Sequence, residues 1–251
     1  MASHLQTLID SKVKGINTSG DSYDHLIYAG AIDILEKIKT YKQEDLQKFI
    51  VEENVTDNDE GYLWSTYNAT SVKAFEVMGV KRSPNMVISG SDIIPNRWKT
   101  ATKGSVQNKE SMGDINSLSY VTANFPAYIV ESFSNVTVID GDNDILAGPT
   151  EGANFIVTVF PQVTGVIAHA WKVTYIPIPV SISDTENNFH ESYMPALASY
   201  VAKNIVLNEM NRLLLLEEDL ELAAELKNHY ALLEQEYAGL MNIPPKKEAA
   251  K

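Results

Sequence analysis

Residues 218–241 read EDLELAAELKNHYALLEQEYAGLM, and their spacing decides the fold. Leu222, Leu226, Tyr230, Leu233, Tyr237 and Leu240 recur at steps of four, four, three, four and three. That is one narrow apolar stripe on a helix, flanked by Glu221, Glu225, Lys227, Glu234 and Glu236. Directly before it, residues 190–216 read as a second helix, with Met194, Leu197, Val201 and Ile205 facing inward. Neither stripe can stay exposed over several turns, so the two helices need partners.

Upstream, residues 155–161 and 170–179 are β-branched and aromatic runs that end on proline, and an acidic hinge, 183–191, joins them to the helices. The rest of the middle is also strand-like: 62–67, 72–81, 127–131 and 136–140 are bounded by turn residues. The stretch 83–115 differs. It is rich in Ser, Asn, Gly and Lys, with Trp98 and Met112 as isolated large apolar residues. It reads either as a long projecting contact loop or as a segment that orders only in an assembly. At the N-terminus, Leu5, Leu8, Ile9, Val13 and Ile16 share one helical face, and Leu26, Ile27, Ala31, Ile34, Leu35 and Ile38 share another. Residues 44–51 extend this helix or add a short one. The expected fold class is therefore α+β. N- and C-terminal helices, 1–59 and 183–251, close one bundle around an inserted mostly-β part, 60–182, that carries the long loop 83–115.

Composition narrows the function. The chain has 251 residues and no cysteine, which excludes disulfides, thiolate metal sites and cysteine nucleophiles. The opening MASHLQTLIDSKVKG has no apolar h-region, and no apolar run approaches the roughly 20 residues that span a bilayer. The expectation is a soluble product made in the cytoplasm, with no membrane partner. The net charge is −13 and is unevenly spread. Residues 184–243 hold 11 acidic and 3 basic side chains, while 61–183 hold 9 and 8. Specific nucleic-acid binders cluster Lys and Arg on one face, so DNA or RNA recognition is not expected. An acidic surface can still let a strand slide past without sticking.

Catalytic motifs are missing. There is no HExxH, GxSxG, Walker loop or GxGxxG, and the five histidines, at 4, 25, 169, 190 and 229, are scattered. The residues point to no catalytic site and no cofactor. The nearest approach to a metal site is Asp140, Asp142, Asp144 and Glu151, spaced like positions one, three, five and twelve of a calcium loop. Ile145 stands where that loop turns on glycine, and the flanks are strand-like, so a solvated acidic connection explains the same residues. Arg97 and Trp98 after Pro95 suit either an interface contact or a small core under a loop. Asn242-Ile243-Pro244-Pro245 ends the last helix, and Lys246, Lys247 and Lys251 give a basic tail free to contact a neighbour.

The order of parts resembles the head-to-tail connector proteins of tailed bacteriophages, the adaptor, tail tubular and neck proteins. The resemblance rests on the N-terminal helices, 5–16 and 24–39, and on NSLSYVTANFPAYIV at 116–130. It continues in FIVTVFP at 155–161, WKVTYIP at 171–177, the acidic hinge, and YMPALASYVAK at 193–203. It closes on the helix that carries Tyr230, Glu234 and Tyr237. It implies a virion structural protein, not an enzyme. Such a subunit forms a ring, typically a dodecamer, between portal protein and downstream tail protein, around a channel for genome passage. Two other classes stay open at this stage. One is a cell-wall glycan hydrolase, with Glu110 and Asp114 as the least implausible carboxylate pair. The other is a calcium-dependent β binding module.

Overall fold

The structure, a computed structural model, describes residues 3–13, 16, 23–55, 63–65, 72–83, 86–89, 92–95, 97–122, 124–132, 155–160, 171–179, 181–217 and 220–242. In chain order come α1 (His4–Lys12), α2 (Asp24–Tyr41), a 3₁₀ stretch (Gln43–Phe49), β1 (Val51–Val55), β2 (Leu63–Ser65) and β3 (Val72–Arg82). Next are β4 (Met86–Ser89), β5 (Asp92–Pro95), β6 (Lys99–Thr100), β7 (Thr102–Lys103), α3 (Lys109–Gly113), β8 (Ala127–Ser132), β9 (Phe155–Phe160) and β10 (Trp171–Pro179). The chain closes with α4 (Ile182–Asn188), α5 (Met194–Arg212), a π turn (Leu213–Glu217) and α6 (Leu220–Met241). The fold is α+β, and it divides into a helical unit, Met1–Phe49 with Ile178–Lys251, and a mostly β unit, Ile50–Pro177.

In the helical unit α5 and α6 form an antiparallel hairpin. Tyr200 meets Tyr237 with ring centroids 5.8 Å apart, and Lys203 Nζ donates to Glu234 Oε2 at 2.5 Å. Three residues forward on one helix is three back on the other. α5 is buried on several sides, through Met194, Ala196, Leu197, Ala198, Val201, Ala202, Ile205 and Val206. α1 and α2 both pack on it, bringing Leu5, Ile9, Ile27, Ile34, Leu35 and Ile38 to full burial. The approach of α2 needs a missing side chain, because a Cβ on Gly30 would lie 2.7 Å from Tyr200 Cδ1. α1 starts on Ser3, whose Oγ accepts the Gln6 N–H at 3.1 Å.

The buried face of α6 differs from the stripe expected of it. Ala223, Leu226, Leu233, Tyr237 and Met241 are buried, while Leu222 and Leu240 are exposed. Both sets fit a helical period. The inward set is the one that faces α5, and that choice is made by the partner. The hinge expected at 183–191 is also corrected. Most of it is α4, because Ser181 Oγ accepts the Asp184 N–H and starts a helix. Phe189 then packs edge-on against Phe49 at 5.2 Å, with Tyr193 5.5 Å from the same ring. Residues 44–51 are 3₁₀ only as far as Phe49, and Val51 already belongs to β1.

In the β unit one sheet has the order β1-β10-β3-β6 and a second the order β2-β9-β8-β7. β8 and β9 run antiparallel, from Ala127 opposite Phe160 to Ser132 opposite Phe155. Alternation then sorts their side chains. Tyr128, Val157 and Val159 join Ala74, Val77 and Val80 of β3 and Trp171, Val173 and Tyr175 of β10 in one core between the two sheets. Ala127, Ile129 and Phe160 face the other way, where Met112 and Val121 cover them.

The expected loop 83–115 is the largest correction. β4 and β5 pair within it from Met86 opposite Pro95 to Ser89 opposite Asp92, and β6, β7 and α3 follow. Gly90-Ser91 between Val87-Ile88 and Ile93-Ile94 is a two-residue hairpin signal. A reading weighted toward polar composition passes over it. Met112, isolated in sequence, is a core residue because α3 lays it on the back of β8.

Candidate functional site

Exposed apolar side chains fall close together in the chain at two places, one in each unit. In the helical unit they lie at the turn end of the α5–α6 hairpin: Leu215 is 80% exposed, Leu220 71% and Leu214 42%. Leu213, next in sequence, is buried, which anchors the turn. Glu221 and Glu225 are exposed beside it, and Glu209 is held bidentate by Arg212 at 2.7 and 2.8 Å.

In the β unit they lie on the loop after α3. Leu118 is fully exposed, Phe125 is 81% exposed and Ile115 73%. Local hydrogen bonds shape the described residues of this loop. Asp114 Oδ1 accepts the Asn116 N–H at 2.9 Å, and the Asp114 carbonyl accepts the Ser117 N–H at 3.0 Å. Ser117 Oγ accepts the Ser119 N–H at 3.1 Å, and Val121 N–H donates back to the Met112 carbonyl at 3.2 Å. Asx and Ser turns of this kind hold side chains outward on a fixed backbone. Arg97, Lys99 and Lys103 are exposed nearby in the chain.

The polar clusters inside each unit are braces. Tyr237 OH donates to Asp33, and Lys37 Nζ donates to Asp33 Oδ2 at 2.6 Å and to Tyr237 OH at 3.2 Å. Lys203 lies 4.7 Å over the Tyr237 ring, and Lys12 Nζ reaches Glu236 Oε1 at 2.5 Å. Burial, then the Asp33 carboxylate, pushes the Tyr237 phenol far above its ordinary value. Tyr193 is raised by burial and by its 2.6 Å bond to Asp45, and Tyr175 by burial and by Glu53. On the sheet, Glu52 bridges Lys81 at 2.5 Å and Lys172 at 2.9 Å, and those two bonds hold its carboxyl low. Arg82 is buried over the Trp171 ring at 5.1 Å. Its Nε and Nη1, like the Trp171 indole N–H, have no hydrogen-bond partner among the described residues.

The expected site residues fall as follows. Trp98 is half-buried above Lys172, 4.9 Å from Nζ to the ring centroid, and its neighbour Arg97 is exposed. Glu110 and Asp114 are both exposed on either end of α3, and Asp114 serves the turn just described. Asp140, Asp142, Asp144, Glu151, Lys246, Lys247 and Lys251 lie outside the described residues. Among the described residues no group of three or more His, Asp or Glu could hold a metal ion, and no helix is long and apolar enough to cross a membrane. Sequence reading missed both exposed clusters. Leu213-Leu214-Leu215-Leu216 before Glu217-Glu218-Asp219 reads as the turn region between the helices but carries no mark of an exposed surface, and Ile115, Leu118 and Phe125 have no period that marks them as outward.

No protein-family model and no curated protein sequence matches this chain.

Proposed function

We propose that the chain is a structural subunit of a phage head-to-tail connector, assembling as a ring, typically of twelve copies, between the portal and the next tail protein. The observation that carries this reading is the exposed apolar side chains at two places in the chain, Leu214, Leu215 and Leu220 at the hairpin end and Ile115, Leu118 and Phe125 on the loop. Scattered surface leucines need no explanation, but several exposed apolar side chains close together in the chain suit a contact surface. A subunit with one contact surface in each unit can bind two neighbours, and a ring is built from such repeated contacts. The order of N-terminal helices, β insert and closing hairpin supports the same reading. The acidic bundle, with 11 acidic and 3 basic residues over 184–243, offers passing DNA no adhesive surface.

The role proposed is assembly, without catalysis or a resident cofactor. Co-purification with the portal protein of the same genome, followed by negative-stain imaging, is the test. Ring-shaped particles stacked on the portal are expected. Failure to bind the portal at low and moderate salt would sink the reading, as would glycan hydrolysis abolished by changing Glu110 or Asp114.

A further inference from the structure

We infer that Arg82 and Trp171 hold one small monovalent inorganic anion, of the chloride class, inside the β unit. The site needs no second copy and no portal, so it goes beyond the connector reading and stands apart from it.

Strand alternation brings the two side chains together. Arg82 ends β3 two residues after Val80, so it shares the core face of that strand, and Trp171 opens β10 on the same core. The guanidinium carbon lies 5.1 Å from the centre of the indole ring. Arg82 is 9% exposed and Trp171 3%. Arg82 Nε and Nη1 and Trp171 Nε1 are buried with no hydrogen-bond partner among the described residues. All three are N–H donors. One acceptor about 3 Å from each can bridge the guanidinium and the indole.

These donors want negative charge as well as an acceptor. Glu53, opposite Val173 on this face, accepts from Tyr175 OH at 3.2 Å. Glu52 lies on the other face, paired with Lys81 and Lys172. Lys99, the register partner of Arg82, brings a further positive charge to the same strand end. Burial draws the guanidinium below its ordinary value, and among the described residues no carboxylate offsets that. A buried charge without a counter-charge is costly. Water would bring no charge, and would add two O–H donors to a group made only of donors. A halide accepts from all three N–H groups and cancels the single guanidinium charge. Enclosure sets its size, since the three nitrogens are shut off from solvent and the remaining exposure of Arg82, at the strand end, is the way in.

The test follows thermal melting of the full chain in sodium HEPES, whose sulfonate sits on a large molecule, as sodium chloride replaces it at constant ionic strength. Wild type is expected to gain stability along a saturating curve. Arg82→Met is expected to melt at or above wild type in HEPES and to ignore chloride. Trp171→Phe keeps a ring but loses one donor, and its half-saturating chloride should rise about tenfold. Should Arg82→Met fail to fold, that shift decides the matter. Bromide quenching of tryptophan fluorescence is a second readout, because Trp171 is otherwise shielded. A saturable component is expected in wild type and is expected to vanish in Arg82→Met. Equal chloride responses in wild type and Arg82→Met overturn the inference, as does a wild-type response that never saturates. An unchanged half-saturation in Trp171→Phe also overturns it. Phosphate acting as well as chloride would overturn the assigned class. None of these outcomes bears on portal binding, which tests the connector reading.

Discussion

Gly30 and Tyr200 set how closely α2 and α5 approach, since a Cβ at Gly30 would stand 2.7 Å from Tyr200 Cδ1 and 2.8 Å from Leu197 Cδ1. Leu197 could turn its methyl aside. Tyr200 cannot retreat easily, because the Tyr237 ring and Lys203 pack against it. Gly30→Ala gains about 1 kcal/mol in helix propensity. Overpacking opposes it by about 1–3 kcal/mol. We expect a net loss of stability, read as a lower urea midpoint with an unchanged m-value. A raised midpoint would show that the helices can separate without penalty.

The buried face of α6 makes a paired prediction. Leu233→Ala should lose about 2–5 kcal/mol, because Leu233 is buried against the hairpin. Leu240→Ala should stay within about 0.5 kcal/mol, because Leu240 is 40% exposed. Equal losses at both sites would mean that the helix is rotated from the face described.

Alkaline pH should unfold the helical unit cooperatively. Tyr237 and Tyr193 both titrate above the ordinary phenol value near 10 when folded. A raised folded value means the stabilisation is complete below pH 10 and is lost as pH rises toward the folded value. Tyrosinate absorbance should therefore appear together with loss of helix. Tyr237→Phe removes the bond to Asp33 at a loss of about 1–3 kcal/mol near neutrality, and it should flatten the alkaline limb. Tyrosinate forming in still-folded protein near pH 10 would contradict this.

Acid acts through the carboxylates with the opposite sign. Glu52 is held low by Lys81 and Lys172, and Asp45 by Lys48 and Tyr193. Their contribution is present above the ordinary values, near 4.5 and 3.8, and disappears as pH falls through the lower folded values. Glu52→Gln should lower stability at pH 7 and reduce the dependence on pH below about 4.5. A parallel acid limb in wild type and variant would remove Glu52 from the account.

Arg82→Met should be neutral or stabilising. Stacking on Trp171 returns about 2 kcal/mol. Burying the guanidinium with Nε and Nη1 unbonded among the described residues opposes folding by several kcal/mol. Methionine fills similar volume without that penalty. A strong loss of stability in Arg82→Met would reveal an acceptor for the guanidinium.

The sequence by itself determined the α+β class. Helical periods at both ends and β-branched runs between them are local features, set by each residue's nearest neighbours along the chain. Ser3 and Ser181 likewise cap their helices through bonds three residues away. Tertiary structure decided what depends on distant partners. α5 chose Ala223 and Met241 over Leu222 and Leu240 as the inward positions of α6. The back of β8 turned Met112 into core, and left Ile115, Leu118 and Phe125 facing water three to thirteen residues later. The Asp33–Lys37–Tyr237 brace joins residues 204 apart at its span. A helical period marks which residues share a face. Only packing against another segment decides which face is buried and which is left to meet a neighbour.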